Sequence, residues 1–166
     1  MFIWWRMMVM SETYATTVSR VADFYLSRES MTPKKLQKLI YYAYAWTLTL
    51  LNDDENHLET KLFPERIEAW VHGPVCPQMY YNFKEYGWNP IPQKTSVDIE
   101  QFSPDVLDVL EQVWDVYGGF NGNELESISH QEEPWLIARK GYNANQPSNE
   151  ELDDKIIYHY YNQRVS

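Results

Sequence analysis

The chain has 166 residues, 44% of them hydrophobic and 16% aromatic, and a formal net charge of −10. That is the length of one ordinary domain with ample apolar side chain for a core, which excludes a disordered tail. Its acidity, with a pI of about 4.8, opposes phosphate backbones and favours basic partners, and its single cysteine, Cys76, excludes an intrachain disulfide and fits a reducing, cytoplasmic setting.

From the start, Met1 to Met10 is apolar but broken by Arg6. It is shorter than the ~20 residues that span a bilayer and lacks the basic region and cleavage site of a signal peptide. Met7, Met8 and Met10 each suit a start codon, so this leader reads as a misplaced start, with a packing arm as the alternative. Residues 1–17 then form an N-terminal extension and 18–162 the domain. No other stretch is long and apolar enough to cross a membrane.

Val18, Val21, Ala22 and Tyr25 recur at helical spacing, which predicts a helix over about Thr16 to Arg28. Thr32-Pro33 is a capping hydroxyl followed by proline at the first helical position. The stripe Leu36, Leu39, Ile40, Ala43, Trp46 and Leu50 carries that helix to about Leu51, with Lys34, Lys35 and Lys38 on a solvated opposite face. Asn52 to Pro64 is polar and reads as a loop. Ile67, Ala69 and Val71 alternate with Glu68 and Trp70, which predicts a short strand that Gly73-Pro74 breaks. Pro77 opens a short helix ended by Gly87, and Asn89 to Phe102 reads as a long loop. Ser103-Pro104 starts a second well-marked helix whose stripe, Val106, Val109, Leu110, Val113, Trp114 and Tyr117, stops at Gly118-Gly119. Asn121 or Asn123 caps a short helix through Ile128, Glu133-Pro134-Trp135 starts another, and Asn149 caps a last one with Leu152, Ile156, Ile157 and Tyr160 facing inward. The fold class is therefore mainly α: a compact single-domain bundle of about six to seven helices, with at most a short strand or hairpin near residues 62–72.

No catalytic set emerges. His72 and Cys76 are four apart, but Gly73 and Pro74 interrupt any helix between them and no second pair completes a tetrahedral metal site. Ser129-His130 lies in no nucleophile elbow, and Gly118, Gly119 and Gly122 are followed by Asn123-Glu124 where a phosphate loop needs Gly-Lys-Ser/Thr. The acidic clusters Asp53-Asp54-Glu55 and Asp153-Asp154 suit solvated or capping roles. The expectation is a binding protein, with no enzyme activity, cofactor or metal. Trp70, His72, His130 and Trp135 each stand beside a turn, where they line one groove or tie loops to the core.

Three segments resemble a known family. They are Met31-Thr-Pro-Lys-Lys-Leu-Gln-Lys-Leu-Ile-Tyr-Tyr-Ala43, Ile67-Glu-Ala-Trp-Val-His-Gly-Pro-Val-Cys-Pro77, and Leu125 to Trp135 with Ser129-His130 and Glu133-Pro134-Trp135. Together they resemble the Panacea domain, the SocA-like or GepA-type antitoxin domain of bacteria and prophages, over about Val18 to Tyr160. The family typically has Val or Ile where Cys76 stands. The resemblance implies an antitoxin that neutralises a cognate toxin by direct protein contact, the toxins including small alarmone-synthetase-like enzymes and other inhibitors of translation. In the SocA branch it implies an adaptor that delivers the toxin to a protease. A phage or host regulator that binds nucleic acid through Lys34, Lys35 and Lys38 is a further reading, and a membrane role is not expected. The expected partner-binding or motif residues are Trp70, His72, Gly73 and Pro74, with His130 and Trp135 nearby, and Tyr41 in the first matched segment.

Overall fold

In the computed structural model, which describes residues 13–165, side-chain caps decide where the principal helices begin. The leader Met1 to Met10 lies outside the described residues. Thr13–Tyr14 forms β1, and Thr17 then accepts from the Arg20 amide to start α1, Val18–Arg28. Thr32 accepts from the Lys35 amide ahead of Pro33, and α2 runs Pro33–Leu50. Two short strands, β2 (Thr60–Lys61) and β3 (Glu68–Trp70), lead to β4 (Gly73–Val75) and α3 (Pro77–Phe83). Ser103-Pro104 opens α4, Pro104–Tyr117. Asn121 and Glu124 exchange side-chain-to-backbone bonds in a capping box that fixes α5, Gly122–Ser129. Helices α6 (Glu133–Ala138) and α7 (Asp154–Asn162) complete seven among the described residues.

Helix α2 is the axis of the molecule. It contacts α1, α3, α4, α5, α7, β2 and β4, and 14 of its 18 residues are buried. Leu36, Leu39, Ile40 and Leu48 are fully enclosed, each contributing roughly 1.5–3 kcal/mol by removal from water. The expected solvated lysine face is not there: Lys35 and Lys38 are buried and Lys34 is half-buried. The cause is in the same helix. Tyr41, Tyr42 and Tyr44 cover the faces between the aliphatic positions, so the helix is apolar nearly all round and needs neighbours nearly all round.

The strands also depart from expectation. Gly73-Pro74 does not break a strand; it is the second strand of a hairpin, registered Glu68 to Val75, Ala69 to Pro74 and Trp70 to Gly73, with Val71-His72 as the turn. On its other side β3 bonds the chain at 150–152, Ala69 N–H to Glu150 O and Leu152 N–H to Ile67 O. That pairing consumes the residues expected to start the last helix. Asp153, not Asn149, caps α7, and Ile157, Tyr158 and Tyr161 are its buried residues while Ile156 and Tyr160 are only half-buried. The Asn52 to Pro64 stretch is likewise not all loop. Its β2 runs parallel to β1, and Leu62 and Phe63 enter the core.

Candidate functional site

The hairpin turn sits over the N-terminal half of α2. Gly73 has φ of 110°, and a Cβ there would lie 2.7 Å from Lys38 Cε and 3.0 Å from Ser129 Oγ. Both the backbone conformation and the space demand glycine. Lys38 is 1% exposed, and its ammonium donates to Pro74 O at 3.0 Å. Burial lowers its pKa to about 7, with Glu126 pulling the other way and Lys34 adding to the shift. One residue back, Gln37 grips the strand end: its amide donates to Cys76 O at 3.0 Å and accepts from Cys76 N–H at 2.9 Å. Cys76 is enclosed, and burial pushes its thiol pKa up, so the thiol stays protonated.

Glu126 on α5 ties the same region together. It accepts from Lys34 at 2.6 Å and faces His72 Nδ1 at 3.0 Å, with His130 Nε2 at 4.0 Å. Burial would raise the Glu126 carboxyl, but the bonds from Lys34 and His72 outweigh it and hold it below the usual range. The His130 ring lies flat on Trp135, 3.9 Å between centroids, and burial holds its pKa below the ordinary histidine value. Trp135 Nε1 donates to Trp70 O at 2.9 Å, and Trp70 Nε1 donates to Glu68 at 2.9 Å. Buried Arg139 closes the back of the hairpin through Ala69 O, Asn143 O and Gln146 O.

Six of the seven expected residues therefore meet: Trp70, His72, Gly73, Pro74, His130 and Trp135 surround the Lys38 and Glu126 groups. Tyr41 does not join them. Its hydroxyl bonds Tyr161 at 3.0 Å inside the bundle, and Tyr161 and Tyr42 both donate to the buried Glu132 carboxylate at 2.9 and 2.7 Å. Arg164 supplies the facing charge at 3.3 Å, and burial raises the Glu132 pKa against those bonds. The residues between His130 and Glu132 thus serve two polar clusters, one at the hairpin and one in the core.

Sequence reasoning missed Gln37, Lys38, Glu126, Glu132 and Arg139. For the first two a signal existed, since a helix carrying Tyr41, Tyr42 and Tyr44 beside an aliphatic stripe has little solvated face left. The other three each depend on a partner 70 to 92 residues away, Lys34 for Glu126, Tyr42 for Glu132 and Ala69 O for Arg139.

Beside the hairpin an open groove of about 1000 Å³ runs between α2, α3 and α5, and Trp70 and His72 line it. Among the described residues no group of three His, Cys, Asp or Glu side chains is placed to hold a metal ion, and no helix is long and apolar enough to cross a membrane. The groups assembled here tie the hairpin to α2, α5 and α6 and leave an aromatic, mixed-charge face beside the groove. A family model described as "Antitoxin SocA-like, Panacea domain" matches residues 36–136, more than half of the chain, from the Gln37 grip to Trp135. No curated protein and no solved structure matches the chain.

Proposed function

The chain belongs to the family of SocA-like antitoxins with a Panacea domain, and we propose that it neutralises a cognate toxin by direct protein–protein binding. The observation that carries this reading is the family match over the whole hairpin site. The site's construction supports it. Buried Gly73, Pro74 and Trp135 are tied in by bonds from Lys38 on α2 and from Trp135 to Trp70, and His72 is tied to Glu126 on α5, which presents Trp70, His72 and His130 in a fixed arrangement and keeps the ordering cost of association low. The role is one of binding, in the cytoplasm, with the product of a neighbouring gene as partner.

Co-expression tests it. Production of the neighbouring gene product alone arrests growth, this chain restores growth, and the two proteins co-purify. A harmless neighbour that forms no complex overturns the reading. The SocA name of the matching family favours one second reading, delivery of the toxin to a protease. It predicts a shortened toxin half-life in cells that hold this chain, and an unchanged half-life excludes it.

A further inference from the structure

The groove beside the hairpin has a chemistry unlike the rest of the molecule. Its lining holds Lys34, Lys35, Lys38 and Lys84 against Glu29 and Glu124, on a chain whose net charge is −10. It is also where aromatic rings are left open to water. Trp88 is 80% exposed and Tyr80 and Phe120 are exposed beside it, while Tyr81, just outside, is 64% exposed. A monomer gains nothing from four open rings, whereas rings beside a cation are what an interface uses as anchors.

The two walls are linked by Lys34. Its ammonium lies 5.5 Å from the Trp88 ring centroid on one side and bonds Asn123 at 2.9 Å and Glu126 at 2.6 Å on the other. Lys35 is occupied by Glu29 and by Gly118 O. Lys84 is exposed, stands 5.4 Å over the Tyr81 ring, and pairs with no carboxylate among the described residues. A cation set over an aromatic ring and left without a counter-ion favours an incoming carboxylate.

We propose that this groove is the docking surface for the partner protein, and that it receives an acidic segment of that partner whose apolar side chains pack on Trp88 and Tyr80 while a carboxylate meets Lys84. The identity of the partner as a toxin rests on the antitoxin reading; the chemistry of the groove does not. The remaining surface of this acidic chain steers a basic partner by long-range attraction, and the groove selects the one acidic stretch that fits.

Two assays on the full chain separate the claims. The first titrates the protein with a fluorescein-labelled octapeptide alternating aspartate with leucine and tryptophan, with the same peptide carrying lysine for aspartate, and with a single-stranded RNA oligonucleotide. The acidic peptide is expected to bind, the lysine peptide to bind at least about tenfold more weakly, and Trp88→Ala and Lys84→Glu each to weaken the acidic peptide at least about tenfold. Both positions are exposed, and circular dichroism with urea unfolding confirms that the variants keep the fold. Preference for the lysine peptide, binding of RNA alone, or binding that ignores both variants overturns the proposal. The second repeats growth rescue with the doubly substituted chain. Rescue by the wild type and not by the variant supports the groove, and equal rescue overturns it while leaving the antitoxin reading intact. Groove-dependent peptide binding without rescue by the wild type upholds the groove's chemistry and removes the antitoxin reading.

Discussion

A lysine ammonium held away from water with one carbonyl as its hydrogen-bond partner weakens a fold at neutral pH. Lys38 is in that position, and its pKa falls from 10.5 to about 7 in the folded chain. Between those values the unfolded chain holds the proton and the folded chain does not, so stability rises with pH across that window. The expected outcome is that the free energy of urea unfolding increases from pH 7 to pH 9, by at most ~1.4 kcal/mol per pH unit from this group. Lys38→Met removes that increment, and equal pH slopes for both proteins contradict the assignment. Gly73 answers to the same neighbour. Gly73→Ala imposes a left-handed backbone on a residue with a Cβ and drives that atom into Lys38 Cε, so it is expected to cost ~2 kcal/mol or more in urea unfolding.

Elements in this chain are set by local capping where the cap is strong and by distant pairing where it is weak. Thr32-Pro33, Ser103-Pro104 and Asn121 with Glu124 each announce a helix that forms where expected, because the cap bonds are made within three residues. The last helix shows the limit. Asn149 is a good capping residue, yet the backbone from Glu150 to Leu152 is drawn into pairing with β3, and Asp153 caps instead by accepting from the Lys155 and Ile156 amides at 2.8 and 3.2 Å. Asp153→Ala is therefore expected to cost ~1 kcal/mol and Asn149→Ala less than ~0.5 kcal/mol in thermal or urea unfolding. The reverse order sinks this account of the helix start. The hairpin was legible only in part for the same reason. Alternation showed Ile67, Ala69 and Val71, but the strand through Gly73-Pro74 exists because Gln37 and Lys38 bond Cys76 and Pro74 from a helix 36 to 39 residues earlier. Gln37→Ala leaves the Cys76 amide buried without a partner, while the Cys76 carbonyl keeps the Tyr80 amide, and is expected to destabilise by about 1–3 kcal/mol, read in urea.

At the scale of the whole molecule, one helix buried nearly all round supports a hairpin at its N-terminal half and a tyrosine–glutamate cluster further along. Tyr41 belongs to the second, so its place in the matched segment reflects packing, whereas Trp70, His72 and their neighbours frame the open groove. The aromatic surplus divides accordingly. Tyr25, Tyr41, Tyr42 and Tyr161 are core, and Trp88 and Tyr81 are surface, a division that composition alone has no means to make. The central claim is that this surface stops a toxin by contact. It is tested most directly by calorimetric titration of the neighbouring gene product into the purified chain, alongside growth of cells making both. The account predicts a saturable complex together with restored growth, and absence of binding with undiminished growth arrest would contradict it.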